Sequence, residues 1–206
     1  LEWLWRASQQ DSIGIDALSS INIDHNVYPV NNKMGGSKNA FMKMNDFVHK
    51  KLNNYSKERN KPSEKATSGL SPWLHFGHIS PHEIVFNILS KEKWDAGLIN
   101  ESRIGSRSGW WGLSESSEGF LDQLITWREL GFNFAHFRRD HTSWTSLPQW
   151  AQDTLEAHSL DYKEEVYTFE ELESANTSDP VWNAAQNQLI REGIIQNYLR
   201  MLWGKK

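Results

Sequence analysis

The 206-residue chain contains no cysteine. Disulfides, thiolate zinc sites and iron–sulfur clusters are therefore excluded within it, which fits a protein working inside a cell. No run of about 18 apolar residues occurs, so no membrane span is encoded, and no secretory signal opens the sequence. Positive charge is not in excess: 22 Lys and Arg stand against 26 Asp and Glu, a net charge of −4. Contact with nucleic acid would have to come from a local basic patch. There is no internal repeat, and no alternating stretch longer than Ile21-Asn22-Ile23 reads as a strand.

What is present is helical periodicity and tryptophan. With 38% hydrophobic residues the chain can bury a core in one domain or somewhat more. Most of the eleven tryptophans are expected to fill that core, and a few to do redox work. From Ser37, residues Phe41, Met44, Phe47, Val48, Leu52 and Tyr55 share a helical face that Pro62 closes. Ser80-Pro81-His82-Glu83 is a capping box opening a helix to about Leu89. Residues 101–118, with Trp110 and Trp111, read as an ordered loop. A second long helix is expected over Glu118–Phe137, carrying Phe120, Leu121, Leu124, Trp127, Leu130 and Phe134 on its apolar face. Further starts lie at Pro148, at the Thr168–Glu171 capping box and at Asp179-Pro180, whose helix Gly193 ends. A last helix holds Ile195, Tyr198, Leu199 and Leu202. The fold class is all-α. Residues 1–36 read as a short helix and a connecting segment with Pro29, Gly35 and Gly36. The chain opens on Leu1 and is still in helical register at Trp203-Gly204-Lys205-Lys206, so a longer polypeptide is expected.

The stretch Thr67-Ser68-Gly69-Leu70-Ser71-Pro72-Trp73-Leu74-His75-Phe76-Gly77-His78-Ile79-Ser80-Pro81 carries the most chemistry. Hydroxyls and turn-forming residues gather backbone and side-chain donors around a tight loop, which suits a phosphate-bearing ligand. Ser71-Pro72 would cap a helix in any case. Arg128 sits in an otherwise apolar helical stretch and needs a partner, Glu129 or Glu118. His75, His78, His82 and Glu83 invite a metal, but Pro81 and the helix start between them break a common ligand face, so no metal is expected. Lys50-Lys51 and Arg138-Arg139 read as solvated faces, and as phosphate contacts only if they cluster near the mouth of the ligand site.

Several strings occur in a shared order: Tyr55 with Arg59-Asn60 and Pro62; Ser68 to Gly77; Trp127-Arg128-Glu129-Leu130; Leu147-Pro148-Gln149-Trp150-Ala151-Gln152; Trp182-Asn183-Ala184-Ala185-Gln186; and Leu199-Arg200-Met201-Leu202-Trp203. In these the chain resembles the flavin-binding helical domain of the DNA photolyase and cryptochrome family, and most of all the class II cyclobutane pyrimidine dimer photolyases. The resemblance runs from about Gly35 to Lys206 and implies a FAD-binding helical domain, incomplete at its C-terminus, over 37–206. Residues 1–36 would then connect it to an N-terminal α/β antenna domain.

By this likeness FAD is held by Tyr55, Thr67, Ser68, Leu70, Ser71, Arg128 and Arg200. Trp182 and Trp203 resemble two members of an electron-transfer chain. Gln123, Trp127, Asn197 and Met201 resemble the positions that touch a flipped-out pyrimidine dimer, and the pairs Gln123/Trp127 and Asn197/Met201 fall at i and i+4. The repair enzymes of the family carry glutamate where Gln123 stands. The implied activity is light-driven repair of dimers in UV-damaged DNA, as a deoxyribodipyrimidine photo-lyase. The implied state is a monomer in the cytoplasm, associated with the nucleoid. A cryptochrome-like photoreceptor and a flavin-free helical scaffold are the alternatives.

Overall fold

The computed structural model describes residues 21–27, 30 and 33–205. The chain divides into two compact units, Leu1–Asn32 and Lys33–Lys206. In the first, the described residues form bends and a turn, in which the Asn26 N–H donates to Asp24 Oδ1 at 2.9 Å. Ile21-Asn22-Ile23 forms no strand. The short helix expected at the start of the chain lies outside the described residues.

The second unit is helical, and no strand occurs among the described residues. Helix α1 (Ser37–Asp46) runs into a π-helical turn over Phe47–Lys51, a 3₁₀ turn over Leu52–Asn54, and α2 (Tyr55–Glu58). One stripe of this path, Ala40, Met44, Phe47, Val48, Leu52 and Tyr55, is buried. Phe41, expected on that stripe, lies one helical step off it and is exposed. The π turn is braced from outside by Lys91, whose Nζ donates to Val48 O and Asn53 Oδ1, both at 2.7 Å. Helices α3 (Ser71–His75) and α4 (Pro81–Lys91) follow. Ser80 caps the latter by accepting the Glu83 N–H, whereas Ser71, expected to cap α3, is instead its first residue and gives it no side-chain cap. Leu70, Trp73, Ile79, Ile84 and Ile88 close the core from this side.

The 101–114 loop is ordered, held by two carboxylate acceptors and one indole donor. The buried Glu118 carboxylate accepts the Gly109 and Leu113 N–H groups. Glu92 accepts the hydroxyls of Ser114 and Ser117. The Trp94 indole donates to Trp111 O at 2.8 Å. Gly112 cannot be replaced without movement: its φ is +69°, and a Cβ there would lie 2.3 Å from Leu98 O.

The second long helix starts at Glu115, earlier than expected, because Ser114 caps it. It comprises α5 (Glu115–Leu121), a π-helical turn over Asp122–Trp127, and α6 (Arg128–Phe137). Phe120, Leu121 and Leu124 are buried as expected, but Trp127, Leu130 and Phe134 are exposed. The wider turn rotates everything after it relative to an α-helical register. None of the residues of α6 is buried, so the guanidinium of Arg128 is not the fully buried charge that an apolar helix implied.

Four more helices follow: α7 (Gln149–Ala157), α8 (Phe169–Glu173) with the expected Thr168/Glu171 capping box, α9 (Pro180–Glu192) and α10 (Asn197–Trp203). Asp179 Oδ1 caps α9 by accepting from the Val181 and Trp182 N–H groups, and Gly193 ends it at φ 59°. Gln196 Oε1 caps α10, which therefore begins two residues after Ile195.

Core filling by tryptophan is the exception among the described residues. Trp73 and Trp182 are buried, Trp94, Trp110 and Trp111 pack on one another half-buried, and Trp127, Trp144 and Trp150 are exposed.

Candidate functional site

The hydroxyl loop is tied at two points to the segment that leads into α1. Trp73 Nε1 donates to Met34 O at 3.1 Å, and the Gly36 N–H donates to His78 Nδ1 at 3.1 Å. Within the loop, Ser68 Oγ accepts the Leu70 N–H at 3.3 Å, and the Leu70 side chain is wholly buried. Leu70 thus anchors the loop and offers only its main chain to a ligand. Gly69 takes φ +66°, and a Cβ there would meet Lys43 Cε at 3.1 Å and Nζ at 3.6 Å. The Lys43 ammonium therefore lies beside the loop, a placement that sequence spacing did not reveal.

Burial pushes the Lys43 ammonium below its ordinary pKa, helped by Lys51 and Lys33 and opposed by Asp46. An anion at this point would relieve both the desolvation and the repulsion. Thr67, Ser68 and Lys43 are half-buried and Ser71 is exposed, and all four are donors of the kind that bind a diphosphate.

Tyr55 packs edge-on to Phe47 and Phe120, with ring centroids 5.8 and 5.3 Å away. Its hydroxyl receives Arg59 Nη1 at 3.5 Å. Gln196 Nε2 donates to Arg59 O at 3.2 Å, tying the start of α10 to the Tyr55 turn. Arg200 Nη2 donates to Asn197 Oδ1 at 2.8 Å, while Met201 is exposed on the same helix.

Trp182 and Trp203 are 21 residues apart in sequence and stack in space, with centroids 5.7 Å apart and planes 14° from parallel. Trp182 Nε1 donates to Trp203 O at 3.1 Å. Trp203 Nε1 is buried and has no hydrogen-bond partner.

Gln123 and Trp127 are joined through Asp122. A single oxygen, Asp122 Oδ2, accepts Gln123 Nε2 at 3.2 Å and Trp127 Nε1 at 3.0 Å. Arg128 pairs with Glu129 at 3.2 Å and lies over the Phe132 ring at 4.5 Å. Glu118, the other partner considered, serves the 101–114 loop instead. The contacts of Arg128 thus stay within its own helix, and do not tie it to the 67–71 loop.

Charge is unevenly spread. Residues 33–65 carry nine Lys and Arg against three Asp and Glu, although the whole chain is net negative. Lys50, Lys51 and Lys65 line a cavity of about 160 Å³ with Asn54, Glu58 and Ala66, the last of which adjoins Thr67. The Lys50–Lys51 pair, each bonded to Asp46 at 2.9 and 3.4 Å, therefore reaches the segment next to the loop. Arg138 does not: it forms a two-point pair with Asp140, 2.8 Å at each contact, and holds that carboxyl far below its ordinary pKa.

The helical architecture resembles that of a photolyase. It superposes on the crystal structure of a bacterial class III photolyase from Agrobacterium tumefaciens with a TM-score of 0.57 at 23% identity, over 82% of this chain and 30% of that one.

No family model matches the chain. In sequence it is 38% identical over 172 residues to a deoxyribodipyrimidine photo-lyase of Methanothermobacter thermautotrophicus, covering 84% of this chain and 34% of that protein. It is 30% identical over 188 residues to the enzyme of the same name from Potorous tridactylus, covering 91% and 32%. With the enzyme of that name from Oryza sativa subsp. japonica it shares 34% identity over 161 residues, covering 78% and 28%. The chain belongs to the photolyase family, and it spans about a third of the length of these curated relatives.

Proposed function

We propose that this chain forms part of a light-driven DNA repair enzyme, a deoxyribodipyrimidine photo-lyase that splits cyclobutane pyrimidine dimers. The observation that carries this reading is the Trp182–Trp203 stack. Two oxidisable rings in near contact support electron hopping, and the photolyase resemblance had singled out both positions from the sequence. The Trp182 indole donates to a neutral main-chain carbonyl, Trp203 O, and not to a basic side chain.

FAD fits the donor set of the loop. Lys43, Thr67, Ser68 and Ser71 would hold its diphosphate, with Tyr55 beside them and Leu70 contributing main chain only. Arg128 and Arg200 would place positive charge toward the flavin ring once their local partners, Glu129 and Asn197, are exchanged for it. When bound and reduced, FAD supplies the photoexcited electron that opens the dimer and that returns afterwards.

On the lesion side, the exposed Trp127 ring and Gln123 would receive the flipped dimer, with Asn197 and Met201 opposite. The basic segment 33–65 supports contact with the DNA backbone. The curated relatives are photo-lyases, so a photoreceptor without repair activity is not favoured. We also read the chain as the class II variant of this enzyme, working as a monomer on nucleoid DNA, with residues 1–36 leading from an antenna domain.

The test is repair itself. The protein loaded with reduced FAD and given a dimer-containing oligonucleotide should restore intact pyrimidines under blue light and not in the dark. Flavin that binds while dimers stay intact under light would refute the reading.

A further inference from the structure

We infer that Asp122 is a positioning residue for the lesion pocket, fixing both the polarity of the Gln123 amide and the plane of the Trp127 ring. The inference rests on the proposed pocket at Gln123 and Trp127, but the geometry at Asp122 is independent of it. Residues 122 and 127 are five apart and would diverge on an α-helix, where neighbours fall three and four apart. The π turn over Asp122–Trp127 brings the indole round to the carboxylate. Asp122 is largely covered, its side chain 11% exposed, with Arg107 at 3.9 Å as its nearest cation. One oxygen then takes both N–H donors.

The chemical consequence follows from what each group can do. An ionised carboxylate only accepts, so the Gln123 amide must turn its nitrogen toward Asp122. Its carbonyl oxygen is then free to face a substrate. An imide N–H of a thymine-type base is the donor that such an oxygen takes. The family's glutamate also offers an oxygen there, so Asp122 makes the glutamine present the same kind of atom. Trp127, pinned by its N–H and more than half exposed, keeps a ring face open for stacking. A π turn and a shared carboxylate thus set the orientation of both groups before any substrate arrives.

The test is Asp122→Asn in the full protein, read in two ways. Without substrate, the Trp127 indole N–H and the Gln123 amide are observed by nitrogen-15 NMR, assigned by their loss in Trp127→Phe and Gln123→Ala. Asparagine keeps one acceptor oxygen but loses the charge, so both hydrogen bonds become neutral and weaker. Both resonances should shift, and the indole proton should exchange about tenfold faster, the effect of replacing a charge-assisted hydrogen bond by a neutral one. With substrate, preference for a dimer-containing over an undamaged oligonucleotide should fall about tenfold. That loss should be smaller in a Trp127→Phe background, where the N–H is already gone.

Unmoved resonances, or an equal loss in both backgrounds, would overturn the inference. If Asp122→Asn does not fold, Trp127→Phe, which keeps an aromatic ring but has no N–H, carries the test. It should shift the Gln123 amide and weaken dimer preference, and an unchanged amide with unchanged preference would overturn the inference. A wild-type protein with both N–H groups tied to Asp122 but no dimer preference would instead refute the pocket and leave the positioning intact.

Discussion

Trp203 lies nearly parallel to Trp182, 14° from coplanar at 5.7 Å, and its carbonyl oxygen accepts the Trp182 indole N–H at 3.1 Å. The contact joins the start of α9 to the end of α10 by both a ring face and a hydrogen bond. Trp182→Phe keeps an aromatic ring in a buried site and loses the N–H. A destabilisation of more than about 1 kcal/mol is expected, the net worth of one hydrogen bond plus the cost of the cavity left by the smaller ring. Denaturant unfolding checks this, and a loss of the whole fold would mean that the stack is chiefly structural.

Lys43 makes the affinity for an anionic dinucleotide depend on pH. Its folded pKa lies below the ordinary 10.5, because burial and neighbouring lysines disfavour the charged form. A bound diphosphate favours that charged form. Affinity for FAD should therefore fall as pH rises through the lowered value, beginning below pH 10.5. Lys43→Met should bind FAD roughly tenfold more weakly and lose this pH dependence. Titration calorimetry across alkaline pH reads both effects.

Lys50, Lys51 and Lys65 give a salt signature. Replacing all three by glutamine should weaken binding to undamaged and dimer-containing duplexes alike. The slope of log affinity against log salt should drop by about two to three, near 0.9 for each lost phosphate contact. An unchanged slope would remove these lysines from the DNA-facing surface.

Glu92 contributes acid sensitivity. Burial opposes its ionisation, but the Ser114 and Ser117 hydroxyls and the Ser114 N–H outweigh it, so the carboxyl sits below its ordinary 4.5. A depressed carboxyl stabilises the fold fully above pH 4.5, and that contribution is lost as pH falls through the folded value. Ser114→Ala with Ser117→Ala should lower stability near neutrality and flatten its decline in acid, as measured by thermal melts between neutral pH and about pH 3.

The sequence carried the fold class, most helix starts and the order of the site strings, because these rest on caps, prolines and apolar period. Ser80, Thr168, Asp179 and Gly193 each act as expected. Two π turns were not legible. Neither Phe47–Lys51 nor Asp122–Trp127 has a sequence signature, and the second rotates Trp127, Leu130 and Phe134 off the core. Lys43 and Asp122 were missed for a related reason. Lys43 meets the loop through the φ of Gly69, and Asp122 meets Trp127 through a turn of non-α pitch. Trp182 and Trp203 were named from resemblance, and only the packing of α9 on α10 shows that they touch.

The most direct test of this account is light-driven reduction of FAD bound to the protein, with an external thiol as final donor. The wild-type protein should reduce its flavin under blue light, whereas Trp182→Phe, folded and binding FAD equally well, should do so far more slowly. Equal reduction in the two proteins would contradict the role assigned to the stacked pair.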